Sequence, residues 1–157
     1  MDLLGIICLA PVMVAVALHD LRYMRIPNSL TLIAIGILAV VAITFPPSDY
    51  LIRLTVALSV LALGMLGFVF RLFGGGDVKI LSALMLAIPS HGLVTFAYVF
   101  SAAMFAGIAI VLSLRQFPTT ASWGWKSFGG SSGFPMGLSI ALAGLSFPLV
   151  VLLAQDV

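Results

Sequence analysis

The 157-residue chain is 62% hydrophobic and only 8% charged, with 7 Lys and Arg against 5 acidic residues and a formal net charge of +2. Soluble domains carry about 25% charged residues, so this chain cannot cover itself with a solvated surface and is expected to be an integral membrane protein. The few cations form no basic patch with interleaved aromatics, which argues against a nucleic-acid partner, and the single cysteine, Cys8, leaves neither a disulfide framework nor a cysteine zinc site.

Apolar runs predict six spans, at 3–20, 29–45, 52–72, 77–89, 93–114 and 135–154. The first begins Met1-Asp2, with its basic residues after the apolar stretch. That is the reverse of a secretory signal, so it reads as a retained span with its N-terminus outside. Turn-forming residues separate the runs: Pro27-Asn28, Pro46-Pro47-Ser48-Asp49, Gly74-Gly75-Gly76 and Pro89-Ser90-His91-Gly92. The fourth run is too short to cross as a lipid-facing helix and is tolerable only if buried among the others. The longest connection, Gln116 to Gly133, carries Trp123 and Trp125 beside Lys126. It reads as an interfacial loop, with a flap over the cytoplasmic site as the alternative. The expected fold is therefore all-α: one polytopic transmembrane domain over 1–157, about six helices, both termini outside. No internal repeat of 20–50 residues supports a transporter built from inverted halves.

With this topology the inner connections hold Arg22, Arg25, Arg71, Lys79, Arg115 and Lys126, and only Arg53 falls outside. The bias is that of positive-inside proteins. Asp2, Asp49 and Asp156 fall outside, whereas Asp20 and Asp77 share the inner face. Those two carboxylates close and open apolar runs, where charge is costly unless paired, solvated or used.

Asp77 follows three glycines that permit a sharp turn and close backbone approach, and it stands at a helix N-terminus, where the dipole favours an anion. Asp20 stands at a helix C-terminus, where the dipole disfavours one. Two carboxyls in unlike environments that share one proton are what an aspartic protease needs: one draws a proton from water while the other polarises the scissile carbonyl. Read singly, Asp77 is equally an N-cap and Asp20 an interfacial anchor paired with Arg22 or Arg25. Lys79 is either a substrate or tuning residue or a membrane anchor. His19 points about 100° from Asp20 on a helix and His91 lies in an outer loop, so no metal site is expected.

Asp20 followed by Arg25-Ile26-Pro27-Asn28, and then Gly74-Gly75-Gly76-Asp77-Val78-Lys79, resembles the type IV prepilin peptidases, intramembrane aspartic proteases of the GxGD type. The nearest likeness is the short branch serving tight-adherence (Flp-type) pili. Phe134-Pro135-Met136-Gly137 is similar to the start of that family's last span. The resemblance implies that Asp20 and Asp77 are the catalytic pair, supported by Gly74, Gly76, Lys79, Pro27 and Asn28, and that no metal or cofactor is needed. It implies an inner-membrane enzyme that removes a short basic leader, typically after a glycine, from a prepilin at the cytoplasmic face. Its setting would be the lipid bilayer, with the pilus-assembly machinery as a further partner. The chain lacks the Cys-x-x-Cys domain that accompanies N-methyltransferase activity in larger members, so peptidase activity alone is expected. Archaeal preflagellin peptidases share these motifs and stand as an alternative. The competing classes are a proton- or cation-coupled carrier using the same aspartates and a non-catalytic subunit of a secretion assembly.

Overall fold

The runs of Leu, Ile, Val and Ala form six α-helices in the computed structural model, which describes residues 3–117, 124–128 and 133–155. In chain order they are α1 (Leu4–Tyr23), α2 (Asn28–Thr44), α3 (Tyr50–Val69), α4 (Gly75–Met85), α5 (Leu93–Arg115) and α6 (Met136–Gln155), with a 3-10 turn at Ser90–Gly92. No strand occurs among the described residues, so the all-helical polytopic architecture expected from the sequence is present. Asp2, Trp123, Asp156 and much of the 116–133 connection lie outside the described residues.

Four segments, Leu4–Tyr23, Tyr50–Val69, Ser90–Arg115 and Met136–Ala154, are long and apolar enough to cross a membrane. The apolar α2 is slightly shorter at 17 residues, and α4 has only 11. Eleven residues reach about 16 Å, roughly half the hydrocarbon core. α4 starts before the predicted 77 because Gly74 is extended (ψ 137°) and Gly75 and Gly76 join the first turn. Beyond Met85 the chain tightens into i→i+3 bonds from Leu86, Ala87 and Ile88 N–H to Ala83, Leu84 and Met85 O. Pro89 then disfavours helix at Ile88. Ile80, Leu84, Ala87 and Ile88 are buried, so this irregular crossing is shielded from lipid, the condition under which such backbone is stable.

The far end of α4 is tied to the start of α3. Asp49 Oδ1 pairs with Arg53 Nε at 2.6 Å, Asp49 Oδ2 accepts the Ser90 N–H at 2.7 Å, and Arg53 Nη1 donates to Ala87 O at 3.4 Å. Arg53, the one cation on that side of the charge pattern, is 6% exposed. Its place is explained by this tie rather than by membrane topology.

α6 packs against α1 and α5, while α4 lies against α3, α2 and α6. Small residues set the close approaches. A Cβ on Gly64 would meet Val78 at 2.5 Å, and one on Gly144 would meet Met13 at 3.3 Å. α2 packs on α1 and α4 but has at most marginal contact with α3. α3 stops short of the predicted 72 because Arg71 turns into the left-handed region (φ 60°). Its N–H bonds Phe68 O, and the Leu72 N–H bonds Gly67 O, closing the helix end.

Candidate active site

α1 ends where Met24 adopts φ 52° and its N–H bonds Asp20 O at 2.7 Å. The turn after it is fastened by a 2.7 Å contact between His19 Nδ1 and Arg25 O. Pro27, extended at ψ 145°, then launches α2 at Asn28. Between these points Ile26 is driven inward and buried. It wedges between the first turns of α4 and α6. A Cβ on Gly76 would stand 3.0 Å from Ile26 Cβ and O, and one on Gly137 would stand 2.8 Å from Ile26 Cδ1. Glycine is required at both positions by this close approach.

Asp20 is 4% exposed. Its Oδ2 accepts the Gly137 N–H at 2.7 Å. Asp77 lies in the first turn of α4, with its carboxylate folded back over Gly74, and Ile26 touches both its neighbour Gly76 and Gly137, the residue bonded to Asp20. Lys79 Nζ donates to Asn28 Oδ1 at 3.1 Å, joining the two motifs across α2 and α4. Asp20, Asp77, Gly74, Gly76, Lys79, Pro27 and Asn28 thus gather at one end of the bundle.

Two features differ from expectation. Helix polarity set Asp20 only at the C-terminus of its own helix. Folding adds the N-terminus of α6, which aims the Gly137 N–H at the same carboxylate, so the simple contrast with Asp77 does not survive. Gly137 itself was not singled out as a site residue, because a backbone donor has no side-chain signature. The described part of the 116–133 connection rests on the end of α1. Lys126 and Ser127 N–H groups bond Arg22 and Leu21 O, and Arg115 donates to Ser127 O and Gly133 O at 2.8 Å each. Free carbonyls at the end of α1 are thereby satisfied. Among the described residues no group of three or more His, Cys, Asp or Glu is arranged to hold a metal ion.

Fold and site together define a polytopic membrane protein with two carboxylates gathered at one end of a helical bundle. The model of the type IV leader peptidase family matches residues 7–112, about two thirds of the chain, and the chain belongs to that family. Membership makes it a membrane peptidase of the leader-peptidase type. The match includes both aspartate motifs but not α6, whose Gly137 touches Asp20. Neither the curated proteins nor the solved structures compared with the chain include a match.

Proposed function

We propose that the protein is an aspartic endopeptidase that cuts the basic leader from a prepilin of the Flp type, with Asp20 and Asp77 as its catalytic pair. The observation that carries this reading is that Ile26 packs at once against Gly76, beside Asp77, and Gly137, whose N–H is bonded to Asp20, which brings the two aspartate turns together in a chain of a peptidase family. One carboxylate takes a proton from water as its oxygen attacks the scissile carbonyl carbon, and the partner acid gives its proton to the carbonyl oxygen. Collapse of the resulting diol breaks the C–N bond as one diol hydroxyl returns its proton to the partner carboxylate, and the proton taken from water passes to the leaving amine, so the pair regains its single shared proton. The pair titrates as a unit.

Arg22, Arg25, Arg71, Lys79, Arg115 and Lys126 all belong to the aspartate side in the charge pattern, which supports a site facing the cytoplasm of an inner-membrane protein. A leader could then be met in water while its apolar helix stays in lipid. The pilus-assembly machinery would take the product. No contact among the described residues favours the carrier reading.

Reconstituted in liposomes, the protein should cut a prepilin-type polypeptide at a single bond between leader and apolar helix, read as a mass shift. Failure to cut any such polypeptide would overturn the reading. Gly137→Ala should lower the rate by about 10²-fold, because the new Cβ displaces Asp20 and ångström-scale misplacement costs that much. The control is Gly36→Ala, where a Cβ meets nothing within 4 Å. Equal rates in the two variants would show that Gly137 does not position Asp20.

A further inference from the structure

α2 and α3 both pack on α4 yet barely meet, leaving a groove open to the membrane with α4 as its floor. Two adjoining cavities of ≈ 450 and ≈ 680 Å³ lie along it, sharing Ile35, Leu54 and Leu86 as walls. The cavity nearer the aspartates is bordered by Asn28, Thr31, Lys79 and Ser82 as well as by leucines. Farther along, the lining turns apolar, with Leu38, Ala39, Ala42 and Ile43, until Arg53 closes the far end.

We propose that this groove binds the apolar helix of the substrate, with Asn28, Thr31 and Lys79 receiving the end next to the scissile bond. This rests on the peptidase reading above. A peptide bond can be cut only where the helix is unwound, and unwinding frees N–H and C=O groups that need partners at membrane depth. The groove offers Asn28, Thr31 and Lys79 at the end near the aspartates, whereas the guanidinium at the far end is engaged by Asp49 and Ala87 O. Thr31 is 7% exposed, and its hydroxyl has no hydrogen-bond partner among the described residues. Lys79 spends one of its three donors on Asn28. A lipid acyl chain would use none of these groups, whereas an opened peptide carbonyl can take the remaining Lys79 donors.

The path from groove to aspartates is also defined. Asp77 and Lys79 are two residues apart and so point to nearly opposite flanks of α4. A chain leaving the groove must cross the first turn of α4 to reach Asp77. There Gly74 is exposed and, like Gly75, presents backbone without a side chain. A second cavity, of ≈ 480 Å³ beside the Ile26 turn, is bordered by His19, Arg25 and Lys126, whose cations repel a basic leader.

The test uses the full chain in liposomes and a single-span probe with a short basic leader followed by an apolar helix. Benzoylphenylalanine placed at Leu32 or Leu58, in an Asp77→Asn background that holds the probe uncut, should crosslink to it about tenfold more than at Phe105, which is exposed on α5. In otherwise wild-type protein, Ala39→Trp fills the groove and should slow cleavage of the probe about tenfold, with little effect on a water-soluble peptide spanning the same junction. Ala106→Trp, on the exposed face of α5, should change neither. Groove crosslinks no stronger than those at Phe105, or crosslinks to phospholipid alone, would overturn the proposal, as would undiminished cleavage of the probe by Ala39→Trp. Those outcomes leave the peptidase reading untouched. Wild type that cuts neither substrate would overturn that reading instead, and the crosslinks would still decide the occupant of the groove.

Discussion

Asp20→Asn and Asp77→Asn should each lower cleavage of a prepilin-type substrate by about 10³-fold or more, because members of a catalytic unit fail together. The amide keeps the size of each side chain but cannot exchange a proton with water or carbonyl. At position 20 an amide oxygen can still accept the Gly137 N–H, which is 2.7 Å from Oδ2 in the native site. Helix content and folded yield should therefore be retained, and circular dichroism of the purified variants separates lost chemistry from lost structure. Initial rates in liposomes give the comparison. A variant cutting within tenfold of wild type would remove its aspartate from the pair.

The largest stability effect is expected at the opposite end of the bundle. Arg53→Leu should destabilise the fold by about 2 kcal/mol, since the part-buried Asp49 carboxylate loses its charged hydrogen-bond partner. The loss reaches further than the pair, because Arg53 also donates to Ala87 O and Asp49 also holds the Ser90 N–H. Those contacts complete the membrane crossing begun by the short α4. The double substitution Asp49→Asn with Arg53→Leu should be less destabilising than Arg53→Leu alone, which thermal melts in detergent can compare. Equal or greater loss in the double variant would contradict a stranded charge.

Acid should act on the same tie. Burial works against the Asp49 charge, but the Ser90 N–H and the Arg53 guanidinium outweigh it and hold the pKa at about 2, below its ordinary 3.8. A depressed folded-state pKa gives stability that is full above the ordinary value and lost as pH falls through the folded value. The contribution should therefore fade between about pH 4 and pH 2. Asp49→Asn should lack that component of the acid transition. An identical acid loss in the variant would show that Asp49 is not its source.

Much of the site was legible because its chemistry sits on scarce residues. With 5 acids in the chain, two beside glycine and proline turns stand out. Asp49 and Arg53 also carried a readable i,i+4 spacing, although their link to Ala87 and Ser90, across α4, needed the fold. Gly137 was hidden because its contribution is a backbone N–H presented by the chance of packing α6 against α1. The groove was hidden for a different reason. α2 and α3 are apolar nearly all round, so their patterns do not say which face meets protein and which is left open. The predicted fourth span runs past Met85 because Leu86, Ala87 and Ile88 stay apolar after the regular helix has given way to tighter turns.

The pairing of Asp20 with Asp77 is tested most directly by a double-mutant cycle under single-turnover conditions, comparing wild type, Asp20→Asn, Asp77→Asn and the double variant on one prepilin-type substrate. A pair sharing one proton and one water predicts that the second substitution adds almost nothing, so all three variants fall to the same residual rate. Losses that multiply, with the double variant slower by the product of the two single effects, would mean that the aspartates act independently and would contradict the dyad.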